Sequence, residues 1–257
     1  MNTIQSTRCF ALKSLLALLT PIMLFAPHAF AETYVAGQMG LTMPSIGSGL
    51  SNTDFTTTTL QTSTGPLNIP SGTTLSDESL KSSLLLGAKL GHFFSRARWL
   101  GIETEIFHTT PHIKEQNIVI TIPSTPTSLG CTDPGTPSCP SFSVPGAYFR
   151  VITWAPMNFV FRYPGTRFQP YVAVGPGVFF GRITDPSITS GPATQSDTTL
   201  GLNTQLGMRY YITRHVAAFG ELKYNYARFN FSENDNYFGF KSTYSPLHFV
   251  LGLSYSF

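Results

Sequence analysis

Histidines near hydroxyl groups are the first place to look for chemistry in this sequence. A hydrolase needs a base within hydrogen-bond reach of its nucleophile, and on a strand residues two apart share a face. His108 has Thr110 at that spacing, and threonine is the poorer nucleophile. His248 has Val250, and His92 has Leu90 and Phe94. No His-x-Ser pair occurs. His108 and His112 suit interface or loop positions, so the expectation is no catalytic residue and no enzyme. Cys131 and Cys139 bracket the stretch CTDPGTPSC, whose proline and glycine favour a turn that returns the chain. Two cysteines in one loop of an exported protein pair as a disulfide, and no nearby histidine completes a metal set. There is also no glycine-rich phosphate loop followed by a helix. Neither a metal nor a cofactor is expected.

The remaining chemistry is electrostatic. Lys89, Glu103, Glu105, Arg150, Arg162, Arg209, Glu221 and Lys223 all lie within stretches of alternating hydrophobicity, on the face opposite the apolar residues. Five of these are cations and three are carboxylates. Burying unpaired charge is costly, so residues sharing an interior must pair. A hairpin around SRAR sets Lys89 against Glu103 or Glu105, and one around TRH sets Arg209 diagonally within reach of Glu221.

The elements that must position these groups are strands. Period-two segments cover Thr33–Met43, Ser83–Phe94, Trp99–Thr110, Ala147–Tyr163, Phe168–Thr184, Thr198–Ile212, Val216–Phe231 and Tyr244–Phe257. In the sixth, Leu200, Leu202, Leu206 and Met208 oppose Gly201, Asn203, Gln205 and Arg209. In the third, Leu100, Ile102 and Ile106 oppose Gly101, Glu103 and Glu105. Three connections are tight (SRAR, PGTR, TRH) and four are long, and the two kinds alternate. All long connections therefore fall at one end. Trp99, Tyr163, Tyr210, Tyr255 and Phe257 cluster at the short-turn end, and Phe149, Tyr224, Tyr226 and Phe229 toward the other, as two aromatic belts.

The N-terminus supplies the compartment. Arg8 and Lys13 precede an apolar run from Ser14 to Ala26, and Ala29-Phe30-Ala31 is an A-x-A cleavage site. The sequence thus divides into a cleavable signal, 1–31, and a mature chain, 32–257. Across 257 residues only 11% are charged, against roughly 25% in average proteins. Aromatic residues make up 13%, which excludes a disordered chain. A net charge of +3 is too small to argue for nucleic acid. No later window approaches the roughly 18 apolar residues of a spanning helix.

The closing stretch LHFVLGLSYSF resembles the last strand of Gram-negative outer-membrane proteins. FQPYVAVGPGVFFG and YVAGQMGLT resemble strands of small barrels of the OmpA-like and opacity-type porin families. The resemblance implies an all-β fold, an eight-stranded antiparallel up-and-down transmembrane β-barrel over 32–257 with four long extracellular loops. It implies export through the periplasm to the outer membrane, and contact with lipid bilayer and lipopolysaccharide. Periplasmic chaperones and the assembly machinery would be its folding partners, the latter reading Tyr255 and Phe257, and a monomer is expected. No peptidoglycan-binding domain is expected after the barrel. The implied function is envelope integrity and surface display, with adhesion through an extracellular ligand as an option. The first long connection, rich in Thr, Ser and Gly, suits either a solvated shield or a binding loop. Two readings of the interior stay open: a salt-bridge plug, or a narrow polar path whose excess positive charge favours anions. Some barrels of this size are lipid A-modifying enzymes, but the histidine and serine they use are not matched here.

Overall fold

The computed structural model describes residues 32–43, 50–55, 59–62, 65–68, 74–75, 80–121, 141–144, 146–164, 167–186, 194–232 and 239–257. Eight long strands run through them: β1 (Glu32–Met43), β2 (Ser83–Phe93), β3 (Leu100–Thr109), β4 (Tyr148–Arg162), β5 (Phe168–Thr184), β6 (Thr194–Tyr211), β7 (Val216–Phe231) and β8 (Leu247–Ser256). Each is antiparallel to its neighbours in sequence. β8 returns to β1, with Tyr34 opposite Ser256 and Met43 opposite Leu247. The sheet therefore closes into an eight-stranded up-and-down barrel, with no helix among the described residues. Closure satisfies every strand edge, which a sheet in hydrocarbon requires. At the seam Phe257 N donates to Thr33 O at 2.9 Å, and on the β7 side of β8 Ser256 N donates to His215 O at 2.7 Å. Both ends of the barrel sequence thus lie at the short-turn end.

The alternation dictates which face goes where. Met39, Leu84, Leu200, Leu206, Leu251 and Leu253 are each more than half exposed on the outer wall. Gln38, Lys89, Glu105, Asn203, Glu221 and Lys223 are buried inside. A water-soluble barrel has the opposite arrangement; this one needs lipid around it.

One irregularity changes the parity of a strand. Trp154 on β4 pairs with Val178 but Phe159 pairs with Val174, and Ala155 faces Glu105 while Asn158 faces Glu103. β4 carries one residue more than either neighbour at this point, a β-bulge. An extra residue exchanges the inward and outward faces beyond it. Below the bulge Asn158, Val160 and Arg162 are directed inward; above it Phe149, Val151, Thr153 and Ala155 are. Two expectations are thereby corrected. Arg150 is exposed on the outer wall and is not a lumen residue. Phe149 is fully buried in the lumen, as is Phe229 on β7, so neither belongs to an aromatic belt. Phe229 sits on the inward parity of β7 together with Glu221 and Lys223.

The long connections carry strands of their own. Phe240–Tyr244 continues the β7 ladder beyond β8 and pairs with Leu50–Phe55. Thr74–Leu75 links that strand to Gln116–Thr121, which pairs with Ser141–Val144. Thr59–Thr62 and Gly65–Asn68 form a separate hairpin. The last predicted segment, Tyr244–Phe257, is divided at Ser245-Pro246, and Tyr244 belongs to this extension rather than to β8.

Candidate functional site: the closed lumen

β7 alone displays the layers of the interior. Its inward residues read Ala217 and Phe219, then Glu221, Lys223 and Asn225, then Ala227, Phe229 and Phe231. An aromatic layer nearest the short turns, an ionic layer in the middle and an apolar layer toward the long connections follow from that order. The lowest layer packs Phe219 with Tyr34, Phe93, Val160 and Tyr171. Tyr34 lies across Gly91 on β2, where a Cβ would meet its ring carbon at 2.3 Å, so only glycine allows the ring to lie there. The uppermost layer gathers Phe149, Phe179, Phe229, Phe231, Tyr244 and Leu50. Phe149 meets Phe229 and Tyr244 edge-on, with centroids 6.1 and 5.7 Å apart.

Between them the charges form one network. Lys89 Nζ contacts Glu221 Oε1 at 2.6 Å, Glu103 Oε1 at 3.0 Å and Glu105 Oε2 at 3.7 Å, and donates to Gln205 Oε1 at 2.8 Å. Lys223 Nζ contacts Glu221 Oε2 at 3.0 Å and donates to Glu105. Asn203 donates to Glu105 Oε1 at 2.6 Å, and Tyr34 Oη donates to Glu103 Oε2 at 2.6 Å. Tyr171 Oη donates to Glu221. Lys89 stands opposite Glu105 in the ladder.

Arg209 does not meet Glu221 as the hairpin reading expects. Its ladder partner is Phe219, and Glu221 is already held by both lysines. The guanidinium instead lies 4.0 Å from the centre of the Tyr34 ring, in cation–π contact, and its Nε and Nη1 have no hydrogen-bond partner.

Arg162 and Glu32 close the short-turn mouth. Arg162 Nη1 contacts Glu32 Oε2 at 2.5 Å and Gln169 Oε1 at 3.1 Å, and its guanidinium lies 3.5 Å from the Phe93 ring centre. Tyr211 Oη donates to Glu32, and Ser256 Oγ reaches Glu32 Oε1 at 3.2 Å. Beyond this pair an open recess of about 810 Å³ is lined by Arg167, Gln169, Tyr211, Arg214 and His215, among others. Glu32 is the lumen residue that sequence reading missed. It stands one position before the first predicted segment, and extending that segment's parity by one step brings it inward with Tyr34 and Ala36.

With Arg150 outside and Glu32 inside, the ionic layer and the short-turn mouth together hold four cations, Lys89, Arg162, Arg209 and Lys223, and four carboxylates, Glu32, Glu103, Glu105 and Glu221. The expected positive excess is gone, and with it the basis for anion preference. Aromatic, ionic and apolar layers follow one another along the lumen, whose bore in an eight-stranded barrel is narrow.

The other singled-out residues lie apart from this network. His248 is buried between Thr42, whose Oγ1 is 2.9 Å from Nδ1, and Asn225, whose Nδ2 is 3.2 Å from Nε2. His92 Nδ1 is 2.9 Å from Thr33 Oγ1, and His108 faces outward. Tyr255 and Phe257 are exposed on the short-turn rim, their rings edge-on at 5.3 Å. Cys131, Cys139, Ala29 and Ala31 lie outside the described residues. No group of three metal-ligating side chains converges among the described residues.

The sequence matches, over residues 16–257, the family described as "Outer membrane protein beta-barrel domain". No curated protein matches it. Among solved structures, the chain is similar to the outer membrane protein OprG from Pseudomonas aeruginosa, at 14% identity over 90% of this chain and 97% of that one, with a TM-score of 0.48. It is also similar to Neisserial surface protein A, at 10% identity over 88% and 99%, TM-score 0.45. A third is the outer membrane protease OmpT from Escherichia coli, at 9% identity over 91% and 99%, TM-score 0.45. With a family match spanning nearly its whole length and a closed eight-stranded barrel that is apolar outside and ionic within, the chain belongs to the outer membrane β-barrel domain family and resides in the bacterial outer membrane.

Proposed function

We propose that this protein is a structural and surface-display barrel that contributes to envelope integrity and does not conduct solutes. The observation that carries the reading is the lumen, where every described cation lies against a carboxylate or an aromatic ring and an apolar layer caps the ionic one. A charge-neutral, side-chain-filled bore offers neither a water path nor a selective field. The strands above the wall, Leu50–Phe55 and Phe240–Tyr244 with their partners, provide a platform outside the cell on which a ligand-binding surface can be displayed. In this reading the precursor is cut after Ala31, periplasmic chaperones carry the mature chain, the assembly machinery takes up the strand ending at Tyr255 and Phe257, and the product is a monomer.

The test is conductance of the purified barrel in planar bilayers. Baseline current without stable steps is expected; large, long-lived single-channel steps overturn the proposal. Incubation with lipopolysaccharide followed by mass analysis of lipid A is expected to show no acyl loss. Acyl loss would replace the structural reading with an enzymatic one.

A further inference from the structure

The β4 bulge also shapes the outer wall. Above it the even-numbered side chains of β4 face outward, which sets Arg150 on the surface. Its ladder partner on β5 is Arg182, which is exposed as well. Side chains directly opposite on antiparallel strands have Cβ atoms about 4.5–5.5 Å apart, and like charges there repel. No described carboxylate forms an ion pair with either arginine. A third cation lies close by. Lys81 N donates to His112 O at 2.7 Å, and the charges of Lys81 and Arg150 both act on the His112 ring. That ring stands edge-on to Tyr148, two residues from Arg150 on the same outward face, at 5.0 Å. Ser196, the exposed ladder partner of Arg182, adds a hydroxyl beside the pair.

The level of this patch identifies what it meets. Toward the middle of the wall the next outward residues are Ile152 and Phe180, followed across β6 by the strongly exposed Leu200. Toward the long connections come Tyr148 and Thr184. The cations therefore sit where apolar wall gives way to polar surface, at the end bearing the long connections. In the outer membrane that is the headgroup level of the outer leaflet, where glycolipid phosphates lie directly above acyl chains. An arginine fork matches a phosphate with two parallel hydrogen bonds. Two facing forks with no counter-ion among the described residues are relieved by one phosphate placed between them, while Ile152, Phe180 and Leu200 receive the acyl chains.

We propose that Arg150 and Arg182, supported by Lys81, form a clamp for a phosphate of lipid A, the anchor of outer-leaflet lipopolysaccharide. The clamp rests on the barrel's orientation and not on whether the lumen conducts, so the conductance test leaves it untouched.

The experiment is native mass spectrometry of the full mature barrel in detergent, offered bisphosphorylated lipid A or the same lipid dephosphorylated. Folding of each sample is checked by heat-dependent gel migration. Wild type is expected to retain the bisphosphorylated form at least about tenfold better than the dephosphorylated one. R150Q/R182Q is expected to lose that preference, and R150K/R182K to keep part of it. Millimolar inorganic phosphate should not displace the lipid, because it lacks the acyl contact. Equal retention of the two lipids by wild type overturns the proposal, and so does wild-type retention by folded R150Q/R182Q. Full displacement by inorganic phosphate makes this a free-anion site and removes the lipid assignment. Should the glutamine variant fail to fold, the two lipids on wild type decide alone.

Discussion

Lys223 is the residue on which the electrostatics of the lumen turn. It is fully buried, contacts Glu105 and Glu221 together, and lies 5.4 Å from the Phe107 ring centre. Replacing it with methionine keeps the volume and removes one of two cations that hold three carboxylates. Breaking a buried pair costs roughly 3–5 kcal/mol, because the partner's charge stays behind. K223M is therefore expected to lower the urea midpoint of the folded barrel markedly. K223M/E105Q should recover a good part of the loss, since it also removes the stranded carboxylate. A double variant no more stable than the single one would show that Glu105 is held by Asn203 and Lys89 without Lys223. A second residue-scale prediction concerns His112, outside the wall in the connection after β3. Burial disfavours its charged form and the cations Arg150 and Lys81 add to this, against a backbone hydrogen bond at Phe149 that acts in the opposite direction. The net effect lowers its pKa below the ordinary 6.5. The folded connection then binds fewer protons than the unfolded one in the window just below 6.5. The stabilising contribution is complete above that value and is lost as pH falls through it toward the lowered pKa. The ring is largely solvated, so the effect is small. Ring resonances followed by NMR, assigned with H112Q, should titrate below 6.5; a midpoint above it would contradict the assignment of Arg150 to this neighbourhood.

At the scale of elements, the β4 bulge decides which side chains the lumen receives. Gly175 on β5 lies beneath it: a Cβ there would meet Met157 O at 2.2 Å and Asn158 Cα at 2.8 Å. Those are backbone atoms and cannot rotate away. G175A is therefore expected to destabilise the barrel by about 1–3 kcal/mol, the usual range for overpacking. G37A serves as the control, because nothing lies within 4 Å of the added carbon. Equal midpoints for the two variants would mean that β4 relaxes without cost. The same bulge marks the limit of what alternation reveals. On straight strands such as β2, β3, β6 and β7 a period of two carries the face of a residue over any distance. Lys89, Glu103, Glu105, Arg209, Glu221 and Lys223 were therefore legible as one inward set. On β4 a single extra residue reverses that inference, and Arg150 goes to the wall while Arg162 stays inside. Pro156 is a local hint, since prolines within sheets gather at bulges. Yet Pro170 sits in unbroken register on β5, so proline alone does not locate the irregularity. Strand pairing across the chain sets it. The SRAR hairpin made the pairing of Lys89 with Glu103 and Glu105 legible, but the partner of Arg209 was out of reach. The Tyr34 ring under Arg209 comes from β1, 175 positions away in the chain, and no local pattern couples the two.

For the whole molecule, the decisive feature is that its closures act in series. The apolar layer around Phe149 and Phe229 lies toward the long connections, the Lys–Glu network lies below it, and the Arg162–Glu32 pair stands at the short-turn mouth. A path for ions is only as open as its tightest layer, so emptying one layer leaves the others shut. F149A/F229A removes two large rings from the top and is expected to lower stability, by roughly 3–5 kcal/mol for each Phe→Ala if the sites are independent. It should still give no stable current, because the ionic layer remains intact. Truncating the network alone, as in K89A/E221A, opens polar space beneath an apolar lid and should likewise stay silent. The two together still leave the aromatic layer around Tyr34 and Phe219 and the Arg162–Glu32 pair in place, so they too are expected to give no stable single-channel steps, provided the barrel still shows its folded migration. Silence from each variant and from the combination is what layers in series require while the short-turn layers stay shut. Conductance from F149A/F229A alone would place the whole barrier in the apolar cap and reduce the Lys–Glu network to a lining that water already penetrates.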